Sequence, residues 1–240
     1  MSRFKTLNKL ILLLVLFFLS ACQTQPSKEL QLQKSEFQIS DIVKADIDMF
    51  ADVLMRQSMG YLKLLARKLY LRNPNQLRRA KISDIDQAIA RLFITKWPAG
   101  LPEFGGKRSV DVIHLAFDDS FEGDRVAALV DGLRGMLLDA YAGNKEFYLY
   151  DNFDPQKIYN LARNFEVAFW KLGHDRDSNG QLFLLTNAIG TNQIMNLSFE
   201  RLYGKLISLH DQMAIVIAET TNRYIKNIIQ SAATMVFLPI

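Results

Sequence analysis

One stretch of the chain, residues 175–182, has oxygen-bearing side chains at the spacing of a calcium loop. Asp175 and Asp177 occupy the first and third positions, and an asparagine and a glycine follow at the fifth and sixth. An EF-hand also needs a bidentate glutamate at the twelfth position, where this chain has Thr186. Asp, Ser, Asn and Gly are equally the residues of a solvated turn between helices. We therefore expect a structural turn here and predict no metal ligand.

Four carboxylates gather just before a predicted helix: Asp118, Asp119, Glu122 and Asp124. Such groups can serve acid-base chemistry or bind a metal ion. Acidic side chains at the start of a helix also complement the helix dipole. We expect the second role, which needs no ligand.

The three histidines are far apart in the sequence, at His114, His174 and His210. None has the close spacing of a zinc site such as His-Glu-x-x-His. The chain also lacks Gly-x-Ser-x-Gly and the glycine-rich loops that bind nucleotide phosphates. We therefore predict no catalytic residue and no cofactor. An enzyme whose triad is assembled from distant residues is the less favoured alternative.

A cluster of positive charge surrounds the helix-breaking sequence Asn-Pro-Asn at 73–75. Residues 67–81 contain six cations and no acid. The cations are Arg67, Lys68, Arg72, Arg78, Arg79 and Lys81. Such a cluster can face anionic lipid headgroups, lipopolysaccharide phosphates or an acidic protein. A solvated surface without a partner is the alternative.

The N-terminus has the pattern of a secretory signal peptide. Arg3, Lys5 and Lys9 precede an unbroken apolar run from Leu10 to Leu19. A helix needs about 20 apolar residues to cross a bilayer, and this run has ten. A cleaved leader over residues 1–21 is therefore expected instead of a permanent span.

The residues that close the apolar run, Leu19-Ser20-Ala21-Cys22, resemble the lipobox of bacterial lipoprotein precursors. This resemblance implies cleavage between Ala21 and Cys22, diacylglycerol on the Cys22 thiol, and a fatty acid such as palmitate on the new amine. Gln23 after the lipidated residue implies, as in enterobacteria, the outer membrane and its periplasmic face. The alternative is an ordinary secreted protein whose cysteine falls here by chance.

Removal of the leader lowers the net charge of the chain and changes what its composition indicates about partners. The leader carries three of the 29 Lys and Arg residues and none of the 25 Asp and Glu residues, so the remaining chain has 26 − 25 = +1. The isoelectric point near 9.1 is then no evidence for a nucleic-acid partner. Cys22 is the single cysteine, so the rest of the chain has neither a disulfide nor a thiolate metal site.

The chain after the leader divides into a tether and one helical domain. Residues 22–38 are polar and glutamine-rich, which is typical of a flexible linker. Residues 39–240 are predicted to form a mainly α bundle with little or no sheet. A Pro/Gly-rich loop at 98–109 is its best candidate for a boundary or a mobile segment.

Apolar residues at helical spacing predict two long helices, at about 40–71 and 197–236. The first carries Phe50, Leu54, Leu65 and Leu69 on its apolar face. Shorter helices are predicted from Ser83, with Ser83 and Asp86 as a capping box, from 124 to 141, and after Asp154-Pro155. Residues 110–117 fit either a strand or a helical turn, and residues 229–240 form an apolar tail.

The sequence thus predicts a membrane-anchored cell-envelope lipoprotein that acts by binding, as a scaffold or assembly subunit. Its expected partners are the membrane, through lipid on Cys22, and envelope proteins, with anionic lipid or lipopolysaccharide as further candidates. A carrier of an apolar or lipid ligand is the first alternative, and a calcium-dependent module or an enzyme is the second.

Overall fold

The computed structural model describes residues 46–94, 100–141, 153–187, 197–221, 225 and 236–240. All of them belong to one compact unit that begins at Gln38. In these parts of the chain the structure is helical and has no β-strand, apart from one isolated bridge between Arg176 and Leu182. The predicted mainly α fold is confirmed. No described helix is both long enough and apolar enough to cross a bilayer.

The helices pack as two hairpins against one long helix. Helix α4 packs on α5, α6 packs on α7, and α1 contacts α3, α5 and α7. In chain order the elements are α1 (Asp46–Arg72), α2 (Asn75–Arg79), α3 (Ile85–Ile94), a 3-10 turn (Pro102–Phe104), α4 (Ser109–Ala116), α5 (Arg125–Ala140), α6 (Pro155–His174) and α7 (Ser198–Thr221).

Helix α1 confirms the first predicted long helix over Asp46–Arg72, and the predicted residues before Asp46 lie outside the described ranges. Leu54, Leu65 and Leu69 are buried as predicted. Phe50 was wrongly predicted to be buried, because 40% of its surface is exposed. The buried face at this turn passes instead through Ala51 and its neighbours at helical spacing, about 100° further around the helix.

Helix α7 is shorter than the predicted helix at 197–236. It ends at Thr221, and neither Ile225 nor the segment Val236–Ile240 is helical. The β-branched pair Thr220-Thr221 lowers helix propensity, and Pro239 disfavours helix at the residue before it. Phe237 and Ile240 are apolar because they pack on the core, although they lie outside any helix. The spacing of apolar residues alone could not distinguish those within a helix from those that pack on the core outside a helix.

The helix starts mostly follow their predicted capping residues. Asp124 caps α5 and accepts a hydrogen bond from the Ala127 amide at 3.0 Å. Asp154 caps α6, and Pro155 is its first residue, as predicted. The predicted capping box at Ser83 is wrong. Asp84 is the residue whose carboxylate accepts from the amides of the first turn of α3, so that helix begins one position after Asp84.

The described part of the Pro/Gly loop is anchored to the core, since Leu101 and Phe104 are buried. Residues 110–117, which fitted a strand or a helix, lie almost wholly within α4. Helix α4 approaches α5 closely at Gly132. A Cβ atom there would lie 2.4 Å from the Ile113 side chain, so only glycine fits.

Candidate functional site

His210 is a buried link between three helices. Its Nε2 atom lies 3.2 Å from the Ser58 hydroxyl, and its Nδ1 atom lies 3.1 Å from the Tyr141 hydroxyl. The ring has no exposed surface, and burial lowers the pKa of His210 to about 3. A neutral imidazole with both nitrogens engaged and no access to solvent stabilises the packing of α1, α5 and α7.

The other two histidines lie elsewhere on the surface. His114 on α4 meets the ring of Phe237 edge-on at 5.4 Å. His174 at the end of α6 stacks on Trp170, with ring centroids 4.6 Å apart. The structure therefore does not bring the three histidines together.

The predicted carboxylate cluster does approach the 175–182 loop. The Asp119 carboxylate accepts a hydrogen bond from the Ser178 amide at 3.2 Å. Asp177 Oδ1, the third position of the calcium-like pattern, accepts from two amides of its own turn, at 3.0 and 2.8 Å. Asp175 pairs with Lys171. In the described ranges, no three side chains of the metal-ligating types are arranged to hold an ion.

Asp124 belongs to a buried polar network instead of a surface acid cluster. Its Oδ2 atom accepts from the Tyr70 hydroxyl at 2.7 Å and from Arg91 at 2.9 Å. Burial raises the pKa of Asp124, and the bonds from Tyr70, Ala127 and Arg91 oppose that rise. This network joins α1, α3 and the start of α5.

At the C-terminal end of α1, Asn73 holds the chain that follows α6. Its side-chain oxygen accepts from the Leu185 amide at 2.8 Å, and its side-chain nitrogen donates to the Leu185 carbonyl at 2.9 Å. The same nitrogen donates to the Leu69 carbonyl in the last turn of α1. Asn73 therefore places Leu185 beside the end of α1.

The start of α7 reaches the same end of the molecule. The Lys68 ammonium donates to the Ser198 hydroxyl and lies 4.4 Å from the centre of the Phe199 ring. Burial, followed by the charge of Arg201, lowers the pKa of Lys68. Arg201 is thus a further cation close to the basic turn.

Three exposed leucines lie at this end: Leu71 in the last turn of α1, Leu185 on Asn73, and Leu197 before Ser198. Their exposed fractions are 64%, 46% and 51%. Residues 72–81, at the end of α1 and through α2, include four exposed cations that pair with no carboxylate among the described residues. These are Arg72, Arg78, Arg79 and Lys81. We call the three leucines and four cations the leucine–arginine surface.

The leucine half of this surface was not predicted. Leu71 had one usable signal, since it lies off the apolar face of α1 and next to Arg72. Leu185 and Leu197 had none, because hydrogen bonds across 112 and 130 residues of sequence bring them there. The predicted processing residues Ala21 and Cys22, and the tether at 22–38, lie outside the described ranges. Comparison with protein-family models, curated proteins and solved structures finds no match to this chain.

Proposed function

We propose that this chain is a lipid-anchored, non-catalytic binding or scaffold subunit of the cell envelope, held on a membrane by acyl chains on Cys22. The carrying observation is the leucine–arginine surface, which we assign to anionic lipid headgroups. This surface would be a second contact with the membrane, in addition to the acyl chains on Cys22, and it would fix the orientation of the helical domain relative to the bilayer.

Charge and apolar surface act together in this proposal. Each Lys or Arg near an anionic bilayer contributes about 1 kcal/mol, so four unpaired cations supply roughly 4 kcal/mol at low salt. Exposed leucines among cations fit the interface between headgroups and acyl chains. One lipid anchor and one basic surface form the two-signal attachment that holds peripheral proteins stably.

Several acidic side chains of this end interact with Arg125 or with a neutral amide. Asp118, Asp119 and Asp177 interact electrostatically with Arg125, whose guanidinium also donates to the Asp118 carbonyl at 2.7 Å. Glu200 accepts a hydrogen bond from Asn187 at 2.8 Å. Arg72 and Arg78 form no ion pair with a carboxylate among the described residues.

The alternative of a lipid carrier requires an apolar cavity between helices. Among the described residues, a cavity of about 220 Å³ lies beside α4 and the C-terminal segment. Arg108, Asp111 and Asp139 line it together with apolar side chains. Charged walls are unsuited to an acyl chain, so this cavity does not favour the carrier.

The test uses the single cysteine of the chain. Once the Cys22 thiol carries diacylglycerol, an introduced cysteine is the only free thiol, so Leu71→Cys can be labelled with an environment-sensitive fluorophore in the lipidated protein. In nanodiscs that contain phosphatidylglycerol we expect a blue-shifted emission that brominated lipid quenches. Nanodiscs of phosphatidylcholine alone should give neither effect, because they carry no net charge.

Two controls define the result. Ile215→Cys places the fluorophore at a half-exposed position on α7, about 26 Å along the helix from Ser198, and should stay unquenched in both nanodiscs. Arg72→Glu with Arg78→Glu should abolish quenching at position 71, whereas Arg56→Glu with Lys157→Glu, the same charge change at exposed positions elsewhere, should preserve it. Equal quenching at positions 71 and 215 would contradict the proposal.

A further inference from the structure

Helix α1 has a second apolar stripe, on the side that faces away from the core. Its members are exposed or half-buried and follow one another at gaps of three and four residues: Phe50, Val53, Gln57, Gly60 and Leu64. We call these five residues the outer stripe of α1. The exposed fractions of Phe50, Val53 and Leu64 are 40%, 38% and 45%. A surface helix normally carries polar side chains on this side, so a row of large apolar residues there indicates a surface that binds another molecule.

The spacing of the outer stripe is that of paired helices. Gaps of three and four residues form the heptad pattern along which two helices pack side by side. The stripe extends for about 21 Å along α1. Gly60 lies within it and has no side chain, which allows the backbone of a partner to approach α1 closely. Gln57, the polar member, already donates from its side-chain amide to the Tyr61 hydroxyl at 3.0 Å.

A cation held over an aromatic ring lies at each edge of the outer stripe. On the side of α3, the Lys63 ammonium lies 5.2 Å from the centre of the Phe93 ring. On the side of α7, the Lys205 ammonium lies 5.3 Å from the centre of the Tyr61 ring. Each residue turns the helix by about 100°, so Leu64 lies on the arc between Lys63 and Tyr61. The contacts with the rings favour positions of both ammonium groups beside the stripe.

The charge around the outer stripe is positive and lacks counter-charges. Lys63 and Lys205 form no ion pair with a carboxylate among the described residues. None of the exposed side chains of α1 between residues 49 and 67 is acidic. Arg201, one turn before Lys205, adds to the charge, since burial and then Arg201 lower the pKa of Lys68. An acidic group on a partner would supply the missing counter-charge.

We propose that the outer stripe binds an acidic amphipathic helix of a partner protein. The apolar side chains of that helix lie on Val53 and Leu64, and its carboxylates lie beside Lys63 and Lys205. Apolar residues flanked by opposite charges determine the partner and the orientation of paired helices. The outer stripe is separate from the leucine–arginine surface, so this inference stands independently of the membrane contact proposed above.

Two other occupants fit this surface less well. A second copy of this chain would bring the cations of two outer stripes together, and like charges that face each other across an interface are unfavourable. An anionic bilayer attracts any loose array of cations. Here Lys63 and Lys205 are held over rings on either side of a narrow apolar stripe. Such an arrangement matches the carboxylates that flank the apolar face of a single helix.

The probe is a fluorescent helical peptide of three heptads, with leucine at positions a and d and glutamate at positions e and g. It is titrated against the lipidated protein in phosphatidylcholine nanodiscs and followed by fluorescence anisotropy, with empty nanodiscs as the blank. We expect saturable binding. Leu64→Gln should weaken it at least about tenfold, because the apolar contact is lost. Ile215→Gln, at a half-exposed position on α7, is the matched control and should bind the peptide normally.

Exchange of the charges separates paired side chains from loss of structure. Lys63→Glu with Lys205→Glu should abolish binding of the glutamate peptide and create binding of a matched peptide with lysine at positions e and g. An unfolded variant would bind neither peptide. Lys107→Glu with Lys157→Glu, the same charge change at exposed positions elsewhere, should bind the glutamate peptide as the unmodified protein does. The inference is wrong if the unmodified protein does not bind the glutamate peptide, or if the reversed variant does not bind the lysine peptide.

A photoreactive amino acid in place of Leu64 identifies the occupant in the native envelope. We expect adducts with an acidic segment of another protein that has apolar residues at helical spacing, and we expect their loss in the Lys63→Glu, Lys205→Glu variant. Adducts with lipid, adducts with a second copy of this chain, or the absence of any adduct would overturn the inference. The membrane contact is tested separately at position 71, so the two proposals can fail independently.

Discussion

The buried imidazole of His210 should make the domain sensitive to mild acid, and His210→Gln should remove that sensitivity. Burial lowers the pKa of His210 in the folded protein from 6.5 to about 3. The unfolded chain therefore binds a proton below about pH 6.5, while the folded protein binds none until about pH 3. Folding stability falls across that window as pH falls.

The size of the effect follows from the two pKa values. Each pH unit below the unfolded pKa costs about 1.4 kcal/mol, so a change from pH 7 to pH 5 should cost about 2 kcal/mol through this one residue. The glutamine keeps a neutral amide that reaches Ser58, and it does not titrate. The variant loses the hydrogen bond to Tyr141, which lowers its free energy of unfolding by about 1–3 kcal/mol at both pH values. This loss cancels when the variant at pH 7 is compared with the same variant at pH 5.

Urea unfolding at pH 7 and pH 5 measures this difference. The unmodified protein should lose about 2 kcal/mol more than the His210→Gln variant between the two pH values. His174→Gln, at an exposed position, is the matched control and should lose as much as the unmodified protein. Carboxylates titrate alike in all three proteins. Equal losses in the unmodified and His210→Gln proteins would refute the reasoning.

Three further predictions follow from the contacts. Asp124→Ala should lower the free energy of unfolding by about 3–5 kcal/mol, because it removes a helix cap, leaves the buried Tyr70 hydroxyl without its acceptor and takes one of two carboxylate partners from Arg91. Asp84→Ala, at the exposed cap of α3, should cost about 1 kcal/mol in the same urea titration. Gly132→Ala should destabilise by about 1–3 kcal/mol through its clash with Ile113, whereas Gly204→Ala, where a Cβ atom meets nothing within 4 Å, should stabilise α7 by about 0.5–1 kcal/mol. Thermal unfolding followed by circular dichroism compares the two glycine variants. A Gly132→Ala protein as stable as the unmodified protein would contradict the close packing of α4 on α5. Finally, Cys22→Ser should leave an uncleaved precursor without lipid, which metabolic labelling with a fatty acid detects, and normal labelling of the variant would refute the anchor.

The sequence predicted the helices that begin directly after a capping carboxylate. The carboxylates of Asp124 and Asp154 stand directly before the helices that they cap, so capping and period appear together in the sequence. The end of α7 had no such signal. Phe237 and Ile240 are apolar although they lie outside any helix, because they pack on the core next to residues that bind Asn160 and Asn164.

The leucine–arginine surface and the attachment of the C-terminal segment depend on contacts between distant residues, which composition and spacing do not encode. The basic turn was visible in the sequence because its cations are consecutive. Leu185 joins it through Asn73 across 112 positions, and Leu238 reaches Asn164 across 74. In the sequence, an asparagine whose side chain binds the backbone of a distant segment cannot be distinguished from any other polar residue on a helix. Its burial, at 0% exposure for Asn164, is what distinguishes it.

The most direct test of the proposed membrane attachment is photo-crosslinking in the native envelope. A photoreactive amino acid replaces Leu71 in one protein and Ile215 in another, and the adducts are identified by mass spectrometry. We predict lipid adducts at position 71 and none at position 215, with the position 71 adducts lost when Arg72→Glu and Arg78→Glu are introduced together. Adducts at position 71 that contain protein only, or lipid adducts equal at both positions, would contradict the account.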